Sequence, residues 1–228
     1  MKQVGFIGAY DKKDLLINIG KALTLAGSRV LIIDATTTQR FRYVVPNVSQ
    51  TPTPTYISEY NGIDVALGFM NYQGIMQYLG QRQMPYDIII VDTDNIQTFA
   101  SFGLIGYKDL YIATSYDAYD LNKMVEVLRY VPQPIQVTKV VMSADLSNGQ
   151  ETQLDRLLAT TKVGLKREKV IITDKTEDRK AILQNQLVRN VSYKKLSENY
   201  KSNLEYLTSL IAEGIVNQAE IKRIIRKF

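Results

Sequence analysis

Residues Lys2 to Asp34 read KQVGFIGAYDKKDLLINIGKALTLAGSRVLIID, and the order of residue types in this stretch decides the fold. Val4 to Ile7 is a short apolar run of strand character, followed by a loop of Gly8, Ala9, Tyr10 and Asp11. From Lys12 the apolar residues Leu15, Leu16, Ile19, Ala22, Leu23 and Ala26 recur at helical spacing. Asp11 is a natural N-cap for that helix, and Gly27 a natural residue just past its end. Arg29 to Asp34, RVLIID, then reads as a buried parallel strand that closes on an acid. A right-handed crossover returns the chain to the side it left, so the Gly8 loop and Asp34 fall at one edge of a parallel sheet. That edge is where α/β proteins hold phosphate groups.

The same pattern continues outward. Tyr86 to Asp92, YDIIIVD, is a second buried strand ending on an aspartate, with Asp94 as a natural cap for a helix after it. Leu110–Thr114, Val137–Ser143 and Lys169–Thr173 read as further strands. Helices are expected over Tyr119–Tyr130, through Leu154, Leu157 and Leu158 after a turn at Asp145–Gly149, over Asp178–Leu187, and from Ser192 onward. Between Ala35 and Pro54 the chain is rich in Thr, Pro, Gln and Asn, with Phe41, Tyr43, Val44 and Val45 as a short strand or a flap. YISEY and GIDVALGF, within Tyr56 to Phe69, are strand pieces, and Tyr72, Ile75, Met76 and Leu79 form a helical stripe. Alternating strands and helices imply an α/β, doubly wound, mostly parallel sheet with helices on both faces. The expected organisation is one domain over residues 1–214, followed by a basic amphipathic tail over 215–228.

Composition limits the chemistry. The 228 residues, 45% of them hydrophobic, suffice for a substantial core. There is no cysteine and no histidine, which removes disulfides, thiolate nucleophiles, the usual zinc ligands and the usual general base. The amino terminus lacks a basic segment followed by an apolar one, and no apolar run approaches a membrane span, so a soluble, cytoplasmic protein is expected. The net charge of +5 is mild, and a body that binds nucleic acid is not indicated by it. Lys222, Arg223, Arg226 and Lys227 crowd the last seven residues, while Ile221, Ile224, Ile225 and Phe228 share one helical face. Such a helix suits either an anionic membrane surface or a partner-binding or self-packing role.

A phosphate-binding loop aims backbone amides and a helix N-terminus at an anion, with a Lys for charge, a hydroxyl for Mg²⁺ and a strand-end Asp to complete the metal shell. Here Gly8, Asp11, Lys12 and Lys13 form the loop and helix start, and Asp34 and Asp92 end the flanking strands. At this point the chain resembles the MinD/ParA-type deviant Walker ATPases of the P-loop superfamily. GFIGAYDKKDLLINIGKALTLAGSRVLIIDA parallels the family's strand, loop, helix and acid-ended strand, YDIIIVDTD its second acid-ended strand, and LSENYKSNLEYLTSLI its final helix. With Asn18 set on the family's helical Asn, Lys12 falls on the Walker A lysine and Lys13 on the Mg²⁺-binding Thr. Asp34 then falls on the first acid of the second motif and Asp92 on the Walker B aspartate.

The pattern is broken at several places. Asp11 stands where the family has the Gly before its lysine, Ile7 on the signature lysine that reaches across a dimer, and Thr36 on the second acid of the second motif. In kind, these departures are similar to the TadZ-like pilus-positioning relatives. The resemblance implies ATP with Mg²⁺ as cofactor, Asp34 and Asp92 as the metal side of the site, and a homodimer serving a larger assembly. The broken loop implies that ATPase activity is impaired or lost, leaving a dimerising scaffold or positioning factor. The family also implies two alternatives: an active ATP-dependent dimerisation switch, and a DNA-associated partition-type protein.

Overall fold

The computed structural model describes residues 1–47, 53–143, 148–173 and 175–228. One eight-stranded sheet runs through the molecule. Its strands are β1 (Lys2–Ile7), β2 (Val30–Asp34), β3 (Tyr56–Tyr60), β4 (Ile63–Leu67), β5 (Ile88–Thr93), β6 (Asp109–Thr114), β7 (Ile135–Ser143) and β8 (Val163–Thr173), in the spatial order β3-β4-β2-β5-β1-β6-β7-β8. All neighbours are parallel except β3 and β4, which form an antiparallel hairpin at one edge. β1 lies between β5 and β6, so both of its edges are paired, and helical layers cover both of its faces. Val4, Phe6 and Ile7 are accordingly fully buried.

Helices α1 (Lys13–Leu25), α6 (Thr176–Val188), α7 (Glu198–Ala212) and α8 (Gln218–Lys227) cover one face, where their apolar stripes meet Val4, Phe6, Ile32 and Ile90. The opposite face packs Ile7, Ile33, Ile89 and Val91 against α2 (Tyr72–Leu79), α3 (Ile96–Ser101), α4 (Ala118–Arg129) and α5 (Asn148–Leu158). This is the doubly wound arrangement that the alternation of strands and helices implies.

Several local expectations change for identifiable reasons. Phe41 and Tyr43 lie in a single 3₁₀ turn (Arg40–Tyr43) rather than a strand, Val44 and Val45 follow it, and Phe41 and Val45 are buried, so the segment packs as a flap. β8 extends from Val163, six residues earlier than the apolar pattern suggests; as an edge strand it carries Lys166, Arg167 and Glu168 outward, and these charges hide it from a hydrophobic reading. The helix expected from Ser192 begins only at Glu198. Ser197 is its N-cap, accepting from Tyr200 N at 3.2 Å, while buried Asp178 accepts from Ser197 N at 2.6 Å and Ser197 Oγ at 2.8 Å. Tyr193 and Leu196 are therefore core residues of the preceding loop. Most of the Asp145–Gly149 turn lies outside the described residues.

The largest change concerns the tail. α8 folds back against α7 and α1, and Ile221, Ile224 and Ile225 are 0%, 1% and 0% exposed, so three of the four residues assigned to a lipid- or partner-facing stripe lie inside the core. Arg226 pairs with Glu198 and donates to Ser202 Oγ at 2.8 Å, which fixes the helix on α7. The separate tail beginning at 215 is thus part of the same core, and self-packing is the role its apolar face takes. Ile224→Ala is expected to cost about 2–5 kcal/mol in urea unfolding, the range for a buried Ile truncation; an unchanged midpoint would mean that α8 is not packed in solution.

Candidate functional site

Gly8, Asp34 and Asp92 meet at the carboxyl edge of the sheet because their strands are neighbours. Asp34 on β2 is in register with Asp92 on β5, and Ile7 on β1 with Thr93 on β5. Gly8 then turns away with φ of 136°, and a Cβ there would stand 2.3 Å from Ala113 O on β6. Only glycine passes this close to another backbone. Ile7 points into the core on the α2–α5 side.

Lys12 is the N-cap residue of α1 and makes no cap with its side chain. Asp11 accepts from Lys13 N at 3.3 Å, so the capping bond comes from one residue before the cap position. The Lys12 side chain instead turns inward until it is 1% exposed. Its ammonium donates to Gly8 O and to Tyr10 O (3.1 Å), and stands 2.9 Å from Asp92 Oδ1. This contact is a buried ion pair. The loop expected to surround an anion is wound around its own lysine.

The remaining polar groups are paired as well. Asp11 Oδ2 accepts from Lys13 Nζ at 2.8 Å and Arg40 NH1 at 3.0 Å, and Lys13 Nζ also reaches Asp14 at 3.2 Å. Burial would raise the Asp11 pKa, but Lys13 and Arg40 outweigh it and hold the carboxyl below its usual value. Lys13 is likewise raised, burial being outweighed by Asp14 and Asp11. Asp34 Oδ1 accepts from Thr36 N (3.1 Å) and Thr36 Oγ1 (2.5 Å), and Oδ2 from Phe41 N (3.1 Å). Asp94 is not a helix cap; Asn95 caps α3, while Asp94 accepts from Thr37 N at 2.8 Å and Thr37 Oγ1 at 2.9 Å. Thr37 and Arg40 were not legible as site residues, and Thr36 was read only as the replacement of the second motif's second acid. Arg40 lies 29 residues from the carboxylate it holds, and no local spacing announces such a pair.

These contacts fasten the 36–41 segment over the strand ends. The cavity left between Lys12, Asp34, Arg40, Asp92 and Asp94 measures about 20 Å³, room for one water. A neighbouring recess of about 330 Å³ opens outside it, bounded by Tyr10, Arg40, Leu183 and Tyr200. A larger one, about 650 Å³, lies by Lys21, Arg29, Asp64 and Tyr86, at the other end of the strands from these carboxylates. In this arrangement a triphosphate with Mg²⁺ does not fit. The phosphate seat is filled by Lys12, and Lys13 stands where a hydroxyl would hold Mg²⁺.

The fold is that of the ParA/MinD ATPases. A ParA family ATPase from Chlorobium tepidum superposes with a TM-score of 0.58 at 14% identity, covering 92% of this chain and 99% of that one. MinD in the MinC:MinD cell division complex of Aquifex aeolicus gives 0.59 at 11% identity, covering 95% and 98%. The ATP complex of a McdA variant from Cyanothece gives 0.56 at 12%, covering 95% and 99%. No protein-family model and no curated protein matches the sequence.

Buried Asp92 has its pKa pushed up to about 7 from an ordinary 3.8; burial is the main cause, Lys12 opposes it, and Asp34 and Asp94 add to it. Between these two values the native state holds a proton that the unfolded chain has lost, so this residue's contribution to stability falls as pH rises from about 4 to 7. Urea titrations should show that slope, and Asp92→Asn should flatten it. Lys12→Met removes the counter-charge, and is expected to cost about 3–5 kcal/mol at pH 8. At pH 5, where Asp92 carries its proton, the loss should be smaller; equal losses at both values would refute the pairing.

Proposed function

We propose that this protein is a MinD/ParA-fold scaffold or positioning factor whose nucleotide site is closed by its own side chains, with ATPase activity impaired or lost. One observation carries the reading: the Lys12 ammonium is spent on Asp92, Gly8 O and Tyr10 O inside a cavity of about 20 Å³. A lysine held this way is unavailable to the β- and γ-phosphates. Lys13 and Arg40, the other cations beside the loop, are likewise committed to Asp11 before any phosphate arrives.

As a scaffold, the chain would act as a homodimer that holds protein partners of a larger assembly. The MinC:MinD complex and the plasmid partition protein of Borrelia burgdorferi, which shares the fold with a TM-score of 0.52, support partnership of this kind by analogy of fold. Isothermal calorimetry with Mg·ATP tests the reading directly. No heat of binding up to millimolar nucleotide is expected. Micromolar binding, accompanied by turnover that Lys12→Ala abolishes, would overturn it in favour of an ATP-dependent switch.

A further inference from the structure

The recess of about 650 Å³ at the amino end of the strands contains a carboxylate, a cation and a hydroxyl that the fold leaves partly or wholly unmatched. Its walls come from the end of α1, the α1–β2 turn, the β3–β4 hairpin, the end of α2 and the segment before β5. Asp64 on β4 accepts from Tyr86 Oη at 2.9 Å through Oδ2. Its other oxygen accepts no hydrogen bond, and the carboxylate forms no ion pair, among the described residues. Lys21 on α1 donates to Asn61 O at 3.1 Å and likewise pairs with no acid among them. Ser28 is only 8% exposed, yet its hydroxyl makes no hydrogen bond to a described residue. A hydroxyl so placed ordinarily has a partner in protein, water or ligand. Arg29, which also lines the recess, is committed to Asp87 at 3.2 and 3.3 Å.

The unmatched groups are held in place. Asn61 and Gly62 make the hairpin turn with φ of 56° and 85°. The Asn61 side chain is tied down at both ends, donating to Arg189 O at 3.3 Å and accepting from Val191 N at 3.1 Å. Lys21 thus sets its ammonium against a fixed carbonyl, with two of its three N–H donors left over. Buried Tyr86 orients Asp64 in the same way. α1 and α2 both end at the recess, with Leu25 and Leu79 as their last residues and no basic residue in either last turn, so their carbonyl ends favour a cation there. Leu25, Leu79 and Pro85 supply apolar wall.

We propose that this recess binds a small zwitterion, an α-amino acid with an apolar side chain. The free oxygen of Asp64 receives the ligand's ammonium, the Lys21 ammonium receives its carboxylate, and the Ser28 hydroxyl gains a partner. The apolar side chain lies on Leu25, Leu79 and Pro85. A simple anion would leave Asp64 unanswered and opposed to it, and a simple amine would do the same to Lys21; a ligand with both charges answers both and brings no net charge. The volume lies within the range of small-molecule sites. Lys12 and Asp92 stand at the opposite end of the strands, so the proposal is independent of the state of the nucleotide site.

Isothermal calorimetry of the full-length chain with L-leucine, L-methionine and L-phenylalanine provides the test, each compared with its matching amine and carboxylic acid; for leucine these are isoamylamine and isocaproate. At least one of the three amino acids should bind with a submillimolar Kd, and its two singly charged analogues about tenfold more weakly or worse. Asp64→Asn keeps an acceptor for Tyr86 Oη, and Lys21→Met keeps the aliphatic stem on α1. Each should weaken amino-acid binding about tenfold or more with thermal melting unchanged. Should either variant melt early, the analogue series on the unaltered chain decides. No heat with any of the three amino acids, an amine or acid that binds as tightly as its amino acid, or affinity insensitive to both substitutions would each overturn the proposal.

Discussion

The ion pair between Lys12 and Asp92 governs the strand-end site. Both side chains are almost wholly buried, and removing two opposite charges from water costs several kcal/mol for each ion unless other groups replace the lost hydration. For the ammonium the replacements are the carbonyls of Gly8 and Tyr10. Those carbonyls face inward only because Gly8 adopts a positive φ and passes hard against β6. The loop conformation and the ion pair thus require each other, and neither survives the replacement of Gly8 by a larger residue.

The charge logic of the site follows from that pair. A phosphate cradle needs surplus positive potential, which backbone amides and a helix N-terminus supply. Here Asp11, Asp34, Asp92 and Asp94 gather at the strand ends; Lys13 and Arg40 both pair with Asp11 and Lys12 with Asp92, while Asp34 and Asp94 are held by hydrogen bonds from Thr36, Phe41 and Thr37. Burial raises the Asp34 pKa, as it does that of Asp92; Lys12 offsets it only in part at both, with Thr36 and Phe41 helping at Asp34. An arriving anion would have to displace Arg40 from Asp11 and Lys12 from Asp92 before finding a partner. An ATPase loop keeps those cations free in advance.

The fold was largely legible in the sequence because its strands are buried on both sides. VGFI, RVLIID and YDIIIVD are near-continuous apolar runs, the signature of a parallel sheet, and the acids at their ends mark the carboxyl edge. What could not be read depended on contacts remote in sequence. The start of α7 moved because Asp178 holds Ser197 across 19 residues, and the 36–41 flap is fixed by Asp11 and Asp94 on other loops. Lys12, Asp34 and Asp92 are neighbours because their strands are, yet the inward turn of Lys12 is a rotamer choice invisible to spacing. The stripe of Ile221, Ile224 and Ile225 has the same period whether it meets lipid or another helix, so only the α1–α7 groove reveals its partner.

Packing links the strand-end site to the last turn of α8. α1 begins at Lys12; one turn and a half later, Asn18 O accepts from Tyr193 Oη at 2.8 Å, and Tyr193 N donates to Phe228 O at 3.1 Å. A continuous line of buried contacts therefore runs from the Lys12 loop to the last turn of α8. Contiguity of this kind becomes communication only where some element has two arrangements that both ends can bias. In the ATPases that element is the phosphate loop with its nucleotide. Here the loop's cation lies inside its own core, bound to Asp92, and leaving that position would strand a buried carboxylate. The line of contacts then serves rigidity: it holds α1, Tyr193 and α8 in fixed relation.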